Sequence, residues 1–210
     1  MPKIHVFEKH TEQYESWFEK HKDMYEAELK AVKKLLPEFK NALEIGVGSG
    51  RFASPCGIAQ GIEPSPAMAE KARKKGLRIL EGVAEKLELK SKTFDLALMV
   101  TTICFVDRAL DSLKEAYRVL EPGGFLLLGF VDANSELGKL YESKKDTSIF
   151  YGDAVFYSTD RLVTLCRQAG FGNFAFCQTL LGDNPEKPDL HVKDGYGQGG
   201  FVVLRAQRPR

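Results

Sequence analysis

The chain alternates short, almost uniformly apolar runs with longer segments in which apolar residues recur every three or four positions. The run FDLALMV, residues 94–100, is apolar nearly throughout, and Asp95 is its one polar residue. Such a run is typical of a parallel strand buried on both faces. The segment before Pro122 has helical spacing of its apolar residues, Leu110, Leu113, Tyr117 and Leu120. Strands that alternate with helices predict an α/β fold with a doubly wound parallel sheet.

The predicted strands of the first two thirds of the chain are residues 42–47, 58–63, 77–80, 94–100 and 125–131. The last third has a different pattern. A helix at residues 159–169 is capped by Ser158 and closed by Gly170. The runs FGNFAFCQTLL and GGFVVLRAQR follow it as two strands, and the stretch between them does not suit a helix. We therefore predict that these two strands pair antiparallel.

The first 40 residues are predicted to form two helices. Asp23 and Glu26 make a capping-box pattern, so the second helix is expected to start at Met24, and Pro37 stops it. The first helix has an aromatic face made of Tyr14, Trp17, Phe18 and His21. The second has an apolar face made of Tyr25, Leu29, Val32 and Leu36.

Composition narrows the functional classes. A chain of 210 residues with 43% hydrophobic content is long enough to bury one full core, so we expect one domain. With 30 basic and 29 acidic residues it has no overall attraction to nucleic acid or to an anionic membrane. The longest apolar run, residues 125–131, is too short to span a bilayer, and the N-terminal stretch MPKIHVFEKH lacks the apolar run expected of a signal peptide. The cysteines lack disulfide or zinc spacing and are expected to be reduced core thiols of a cytoplasmic protein without a metal site: Cys56, Cys104, Cys166 and Cys177.

A glycine-rich turn, ALEIGVGSGRF, follows the first strand. Its glycines are Gly46, Gly48 and Gly50, whereas a dinucleotide fingerprint needs the third glycine at the position of Arg51. Glu63 ends the second strand, where its two oxygens are able to accept both hydroxyls of a ribose. The alternatives are a turn without a ligand and an exposed strand-end carboxylate. The occurrence of both features together favours a nucleoside ligand that is not a dinucleotide.

The sequence resembles the class I S-adenosylmethionine-dependent methyltransferases of the type called methyltransferase type 11. The stretches that carry the resemblance are YESWFEKH, ALEIGVGSGRF, GIEPSPAMAEKAR, EGVAEKLEL, FDLALMVTTICFVD and EAYRVLEPGGFLLLGFV, which cover Tyr14 to Val131. The resemblance implies a three-layer α/β fold with a mostly parallel seven-stranded sheet, in the order 3-2-1-4-5-7-6, and an antiparallel last strand. It also implies S-adenosylmethionine as the cofactor.

The resemblance further implies roles in cofactor binding. The glycine turn lies beneath the methionine part, Glu63 holds the ribose diol, and the backbone N–H of Ala84 meets the adenine. The residues with an implied role are Glu44, Gly46, Gly48, Gly50, Glu63, Pro64, Ala84, Glu85, Thr101 and Tyr14.

Two positions depart from the pattern or stay open. Val83 stands where the family usually has an aspartate that accepts from the adenine amino group, so either Glu85 replaces it or that group faces water. Arg51 either reaches the cofactor carboxylate or is a solvated surface residue.

The acceptor is less well defined than the cofactor. TTICF follows the fourth strand in place of the Asn/Asp-Pro-Pro-aromatic motif of nucleic-acid amino methyltransferases, and no Pro-Cys pair is present. We expect a small-molecule acceptor, a protein less so, and neither nucleic acid nor membrane. Methyl transfer is an in-line displacement, and the main task of the protein is to orient the nucleophile toward the methyl group. A catalytic base is optional, so no catalytic residue is assigned. The competing hypotheses are a nicotinamide dehydrogenase, which Arg51 disfavours, and a non-catalytic cofactor-binding or interaction protein.

Four segments are expected within residues 1–210: a helical cap at 1–40, a cofactor-binding core at 41–131, an acceptor-side lid at 132–158, and a helix with the terminal hairpin at 159–210. The aromatic residues of the lid suit a closable pocket, whereas the alternative is ordinary packing on the core. They are Tyr141, Phe150, Tyr151, Phe156 and Tyr157.

Overall fold

A computed structural model describes residues 4–210 and shows one mixed β-sheet. Its strands are β1 Ala42–Ile45, β2 Gln60–Ile62, β3 Arg78–Leu80, β4 Phe94–Val100, β5 Leu120–Val131, β6 Gly172–Leu181, β7 Lys193–Asp194 and β8 Gly199–Gln207. The order across the sheet is β3-β2-β1-β4-β5-β8-β6-β7. Strands β1 to β5 pair in parallel, and β8 lies antiparallel between β5 and β6.

Helices cover both faces of this sheet, which gives three layers. They are α1 His5–Lys9, α2 Thr11–Lys20, α3 Lys22–Leu35, α4 Pro66–Lys74, α5 Ala109–Val119, α6 Glu136–Ser143 and α7 Thr159–Ala169, with a short 3₁₀ helix at Ser54–Cys56. One core cluster joins the sheet to α5 and α7, and a second joins its other face to α2, α3, α4 and α6. The two apolar layers account for the nearly continuous hydrophobic runs of the central strands.

Local sequence signals fix several element ends. The Ser65, Ser135 and Ser158 hydroxyls accept hydrogen bonds from the first turns of α4, α6 and α7. Gly170 ends α7 at φ 105°, a conformation that glycine adopts without a steric penalty. The observed bounds of α7 are the predicted ones, and the same holds for β4.

Three details of the predicted fold are wrong. The sheet has eight strands, because the two-residue β7 pairs with Cys177 and Gln178 at the edge beyond β6. The second long helix, α3, begins at Lys22 and not at Met24. Its N-cap residue is His21, which makes no side-chain capping hydrogen bond, and the capping-box pattern at Asp23 therefore lies inside the helix. Strand β5 begins at Leu120, because this residue pairs with Phe94 across an irregularity in the register.

Among residues 4–210, no helix combines the length and the apolar composition that a bilayer crossing requires. The same residues contain no group of three or more His, Cys, Asp or Glu side chains placed to ligate a metal ion.

Candidate active site

The glycine turn lies at the carboxyl end of β1. Gly46, Gly48 and Gly50 have φ values of 70°, 55° and 79°, which side-chain-bearing residues rarely adopt. The N–H groups of Gly46 and Val47 donate to the carbonyl of Ile62, which ties the turn to β2. A Cβ on Gly46 would lie 2.3 Å from Thr102 Cγ2. This turn therefore needs glycine both for its conformation and for the close approach of the segment after β4.

Glu63 lies beside this turn, at the end of β2. Its Oε2 accepts from the N–H of Gly48 at 2.7 Å and its Oε1 from the N–H of Ser65 at 2.9 Å. Each carboxylate oxygen has a second lone pair, so two further donors can be bound at once. Burial raises the pKa of Glu63 to about 7 against the lowering effect of the two backbone bonds.

Most of the sequence-predicted residues line one pocket above the turn, hereafter the cofactor pocket: Tyr14, Gly46, Gly48, Glu63, Pro64, Ala84, Glu85 and Thr101. Gly50 lies under the turn instead, and a Cβ there would contact Leu77 at 2.5 Å. Glu44 is 1% exposed, and its Oε2 has no hydrogen-bond partner within residues 4–210. Burial raises the pKa of Glu44 well above its usual range.

The far end of the cofactor pocket is apolar. Val83, Phe105 and Val106 line it beside Ala84. Glu85 reaches the same pocket, but its Oε1 accepts from the backbone N–H of Asp107 at 2.7 Å and so caps the segment that leads into α5. The carboxylate is thereby fixed in place, with Oε2 left for a further donor.

Thr101 stands where β4 ends, at φ 50°. This is an unusual conformation for a β-branched residue, and it is held by a hydrogen bond from its N–H to the carbonyl of Gly129 at 2.7 Å. Backbone strain of this kind is common where a structure fixes a group beside a ligand.

Arg51 follows neither of its two alternatives, which were a contact with the cofactor carboxylate and a solvated surface position. Its guanidinium forms an ion pair with Glu15 at 2.6 Å and a second with Glu19 at 3.3 Å, and it lies over the ring of Phe18. Tyr25 donates to the Arg51 carbonyl at 2.6 Å. Arg51 therefore fastens α2 and α3 to the glycine turn.

Helices α1 and α2, hereafter the N-terminal segment, contribute residues that the sequence analysis missed. Glu8 of α1 accepts from the N–H of Ala67 at 3.1 Å and from the Ser65 hydroxyl, at the start of α4. Phe7 packs edge-on against Phe105 with ring centroids 5.0 Å apart, and both rings line the cofactor pocket. The segment therefore covers the pocket from above.

Cys104 is also placed differently from the prediction. It is half-buried and lies at the site, where its thiol donates to the carbonyl of Thr101 at 3.2 Å. The other cysteines are buried free thiols, as expected: Cys56, Cys166 and Cys177.

Known proteins share this arrangement. A family model for a methyltransferase domain matches residues 43–128. A crystal structure from Thermotoga maritima, of a SAM-dependent methyltransferase described as a possible histamine N-methyltransferase, is 52% identical, with a TM-score of 0.94 over 98% of this chain and 99% of its own. This chain belongs to the class I S-adenosylmethionine-dependent methyltransferases. An uncharacterized protein of Methanocaldococcus jannaschii is 38% identical to this methyltransferase over 205 residues, 98% of this chain and all of the other.

A more distant relative is the ubiquinone/menaquinone biosynthesis C-methyltransferase of Sinorhizobium fredii. It is 33% identical over 131 residues, and the match spans about half of each chain, 51%.

The cofactor is therefore S-adenosylmethionine, and the residues of this methyltransferase fit it. The turn of positive-φ glycines leaves bare backbone toward the ligand, and Glu63 keeps acceptor capacity on both oxygens. Glu44 does not line the pocket, and its part in binding the methionine amino group stays a prediction.

Removal of the Glu63 carboxylate should weaken cofactor binding. Calorimetry with S-adenosylhomocysteine should show Glu63→Ala binding weaker by a few kcal/mol, because two charge-assisted hydrogen bonds at about 1.5–3 kcal/mol each are lost. Glu81→Gln is the matched control, since Glu81 is an exposed carboxylate just after β3. Equal affinity of the Glu63→Ala variant and wild type would show that the ribose is held by other groups.

The affinity for a nucleoside should depend on pH. The ribose hydroxyls need the ionised carboxylate, and the pKa of Glu63 is about 7, so protonation below that pH competes with binding. We expect 5′-methylthioadenosine, which does not titrate in this range, to bind about tenfold more weakly at pH 6 than at pH 8. The Glu63→Gln variant should lose this dependence. A flat profile in wild type would contradict the role of Glu63.

Proposed function

We propose that this protein transfers the methyl group of S-adenosylmethionine to a small-molecule nucleophile. The observation that carries the proposal is a second hollow, the aromatic pocket, which adjoins the cofactor pocket. The two pockets share Phe7, Tyr14, Thr101 and Phe105. The other residues of the aromatic pocket are Trp17, Phe18, Glu28, Phe52, Ile103, Cys104, Phe130, Val131, Tyr141, Phe150, Tyr151, Phe156 and Tyr157.

The aromatic pocket suits a small organic molecule. Its cavity volume is about 100 Å³, whereas a single water needs roughly 10–15 Å³. Its lining is mostly aromatic and apolar, which favours a small organic molecule over a nucleic acid strand. A small-molecule acceptor also agrees with two relatives, a possible histamine N-methyltransferase and a C-methyltransferase of ubiquinone/menaquinone biosynthesis.

The bound cofactor supplies an electrophilic methyl group on a positive sulfonium. The protein then has to place the nucleophile in line and exclude water, and good placement is worth roughly 7–11 kcal/mol of the barrier. Thr101 lies at the border of the two pockets, where its strained backbone fixes the wall between methyl donor and acceptor. No general base is required for an acceptor that is already nucleophilic.

The remaining roles follow from position. We assign the methionine part to the glycine turn and Glu44, the ribose to Glu63, and the adenine to Pro64, Ala84 and the apolar walls. Tyr14 covers the junction: its hydroxyl would lie 3.7 Å from a Cβ on Gly48. The cytoplasmic location stays a prediction from the free thiols and the balanced charge.

The cofactor assignment predicts a selective stabilisation. S-adenosylmethionine and S-adenosylhomocysteine should raise the melting temperature, with a gain of about 2.7 kcal/mol at a hundredfold excess over Kd. Nicotinamide dinucleotides should leave it unchanged because Arg51 occupies the position of the third dinucleotide glycine. Incubation with methyl-labelled cofactor and a metabolite panel, followed by mass spectrometry, identifies the acceptor. Transfer of label only to proteins or nucleic acid would refute a small-molecule acceptor.

The N-terminal segment and residues 132–158 are proposed to act as a lid. Their rings meet over the pockets: Phe150 lies 6.0 Å from Phe7 and 6.1 Å from Tyr14 between ring centroids. Tyr14→Ala should therefore lower turnover far more than it lowers the melting temperature, whereas Gln13→Ala, an exposed change on the same helix, should affect neither. Hydrogen exchange in both segments should slow when cofactor is added. Equal protection with and without ligand would show fixed structure.

A further inference from the structure

The aromatic pocket contains one acidic side chain. Among the residues that line it, Glu28 is the one with an ionisable carboxyl, and no Lys, Arg or His is present. Glu28 lies on α3, on the buried face with Ala27, Ala31 and Val32. A carboxyl on an apolar helix face needs an explanation, because buried charges are normally paired.

Glu28 has no such pair. It is 6% exposed, and its side chain forms no hydrogen bond or ion pair with any of residues 4–210. A buried carboxyl without a partner destabilises the fold as a carboxylate, so it stays protonated until a ligand supplies donors. The burial, the missing partner and the position at the cavity wall together point to a donor on the ligand.

The rings around Glu28 favour the same ligand. Tyr141 and Tyr151 are stacked with centroids 4.4 Å apart, and Phe156 lies 5.8 Å from Tyr151. The faces of such rings attract a cation and pack against a flat organic body. With no basic side chain in the pocket, a carboxylate ligand would find no opposite charge there.

Building on the proposed methyl transfer, we propose that the acceptor is an organic amine with an aromatic or other flat apolar body, and that Glu28 binds its nitrogen. For the transfer itself the ammonium proton passes to the Glu28 carboxylate, the freed lone pair of the nitrogen attacks the methyl carbon, and the sulfur keeps the electron pair of the broken C–S bond. The rings of the aromatic pocket hold the body, and the shared wall at Thr101 leads to the cofactor pocket. Glu28 is thus the residue that selects amines over alcohols and acids of the same shape.

Protonation gives an independent readout of this contact. Burial raises the pKa of Glu28 to about 8, so the free protein carries this carboxyl mostly protonated at pH 7. An ammonium ligand favours the carboxylate, so its binding at pH 7 should release a proton, and the release should be several-fold smaller at pH 9. The tyrosines around it also have a raised pKa because of burial and stay neutral in this range: Tyr14, Tyr25, Tyr141, Tyr151 and Tyr157.

The experiment is calorimetry on the protein saturated with S-adenosylhomocysteine. The probes are 2-phenylethylamine, tyramine, tryptamine and histamine, with 2-phenylethanol and phenylacetate as shape-matched controls. Glu28→Gln keeps the volume but removes the charge, and Glu26→Gln, an exposed change on the same helix, is its control. Titrations at pH 7 in two buffers of different ionisation enthalpy report the proton release. The Cys104 thiol also lines the pocket and is a second possible source of a released proton. Glu28→Gln keeps this thiol, so a proton release that persists in the variant does not come from Glu28.

We expect at least one amine to bind about tenfold or more tightly than the alcohol and the acid, and to lose about tenfold or more in affinity, together with the proton release, in Glu28→Gln. Glu26→Gln should match wild type, and S-adenosylhomocysteine should bind all variants equally. Three outcomes would overturn the inference: no binding by any of the four amines, equal binding of amine and alcohol, or full affinity in Glu28→Gln. If S-adenosylhomocysteine itself fails to bind wild type, the proposed function fails instead.

Discussion

The hydrogen bond from the Gly48 N–H to the Glu63 carboxylate is the contact on which the site depends. It joins the turn after β1 to the end of β2, and the same carboxylate accepts from the N–H of Ser65. Ser65 caps α4 and also contacts Glu8 of the N-terminal segment. One side chain thus connects the glycine turn, a helix start and the cover of the pocket.

Features set by local sequence were predictable. The bounds of β4 and α7 follow from a continuous apolar run and from a serine cap with a closing glycine, which depend on neighbouring residues only. The glycine turn and Glu63 were found because their spacing reflects two adjacent strands of one parallel sheet. The antiparallel pairing of β6 and β8 followed from the absence of a crossover helix.

Features set by distant partners were not predictable from one sequence. Arg51 pairs with Glu15, which lies 36 positions away, and nothing in the turn specifies that partner. Glu28 was not predicted as a site residue, because the apolar face of its helix was defined by its apolar residues alone. It lies on that face, three residues after Tyr25 and four residues before Val32. A charged residue in the middle of an apolar stripe was the available signal, but it does not show whether the carboxyl meets a protein group or a ligand.

The shared wall of the two pockets has a consequence for the order of events in turnover. Phe7 and Tyr14, both from the N-terminal segment, line the cofactor pocket and the aromatic pocket alike. A cover that closes two chambers with the same rings cannot expose one chamber and keep the other sealed. With the proposed lid, departure of the spent cofactor and departure of the methylated product would belong to a single opening of the molecule, and an acceptor that enters early would be trapped until that opening recurs.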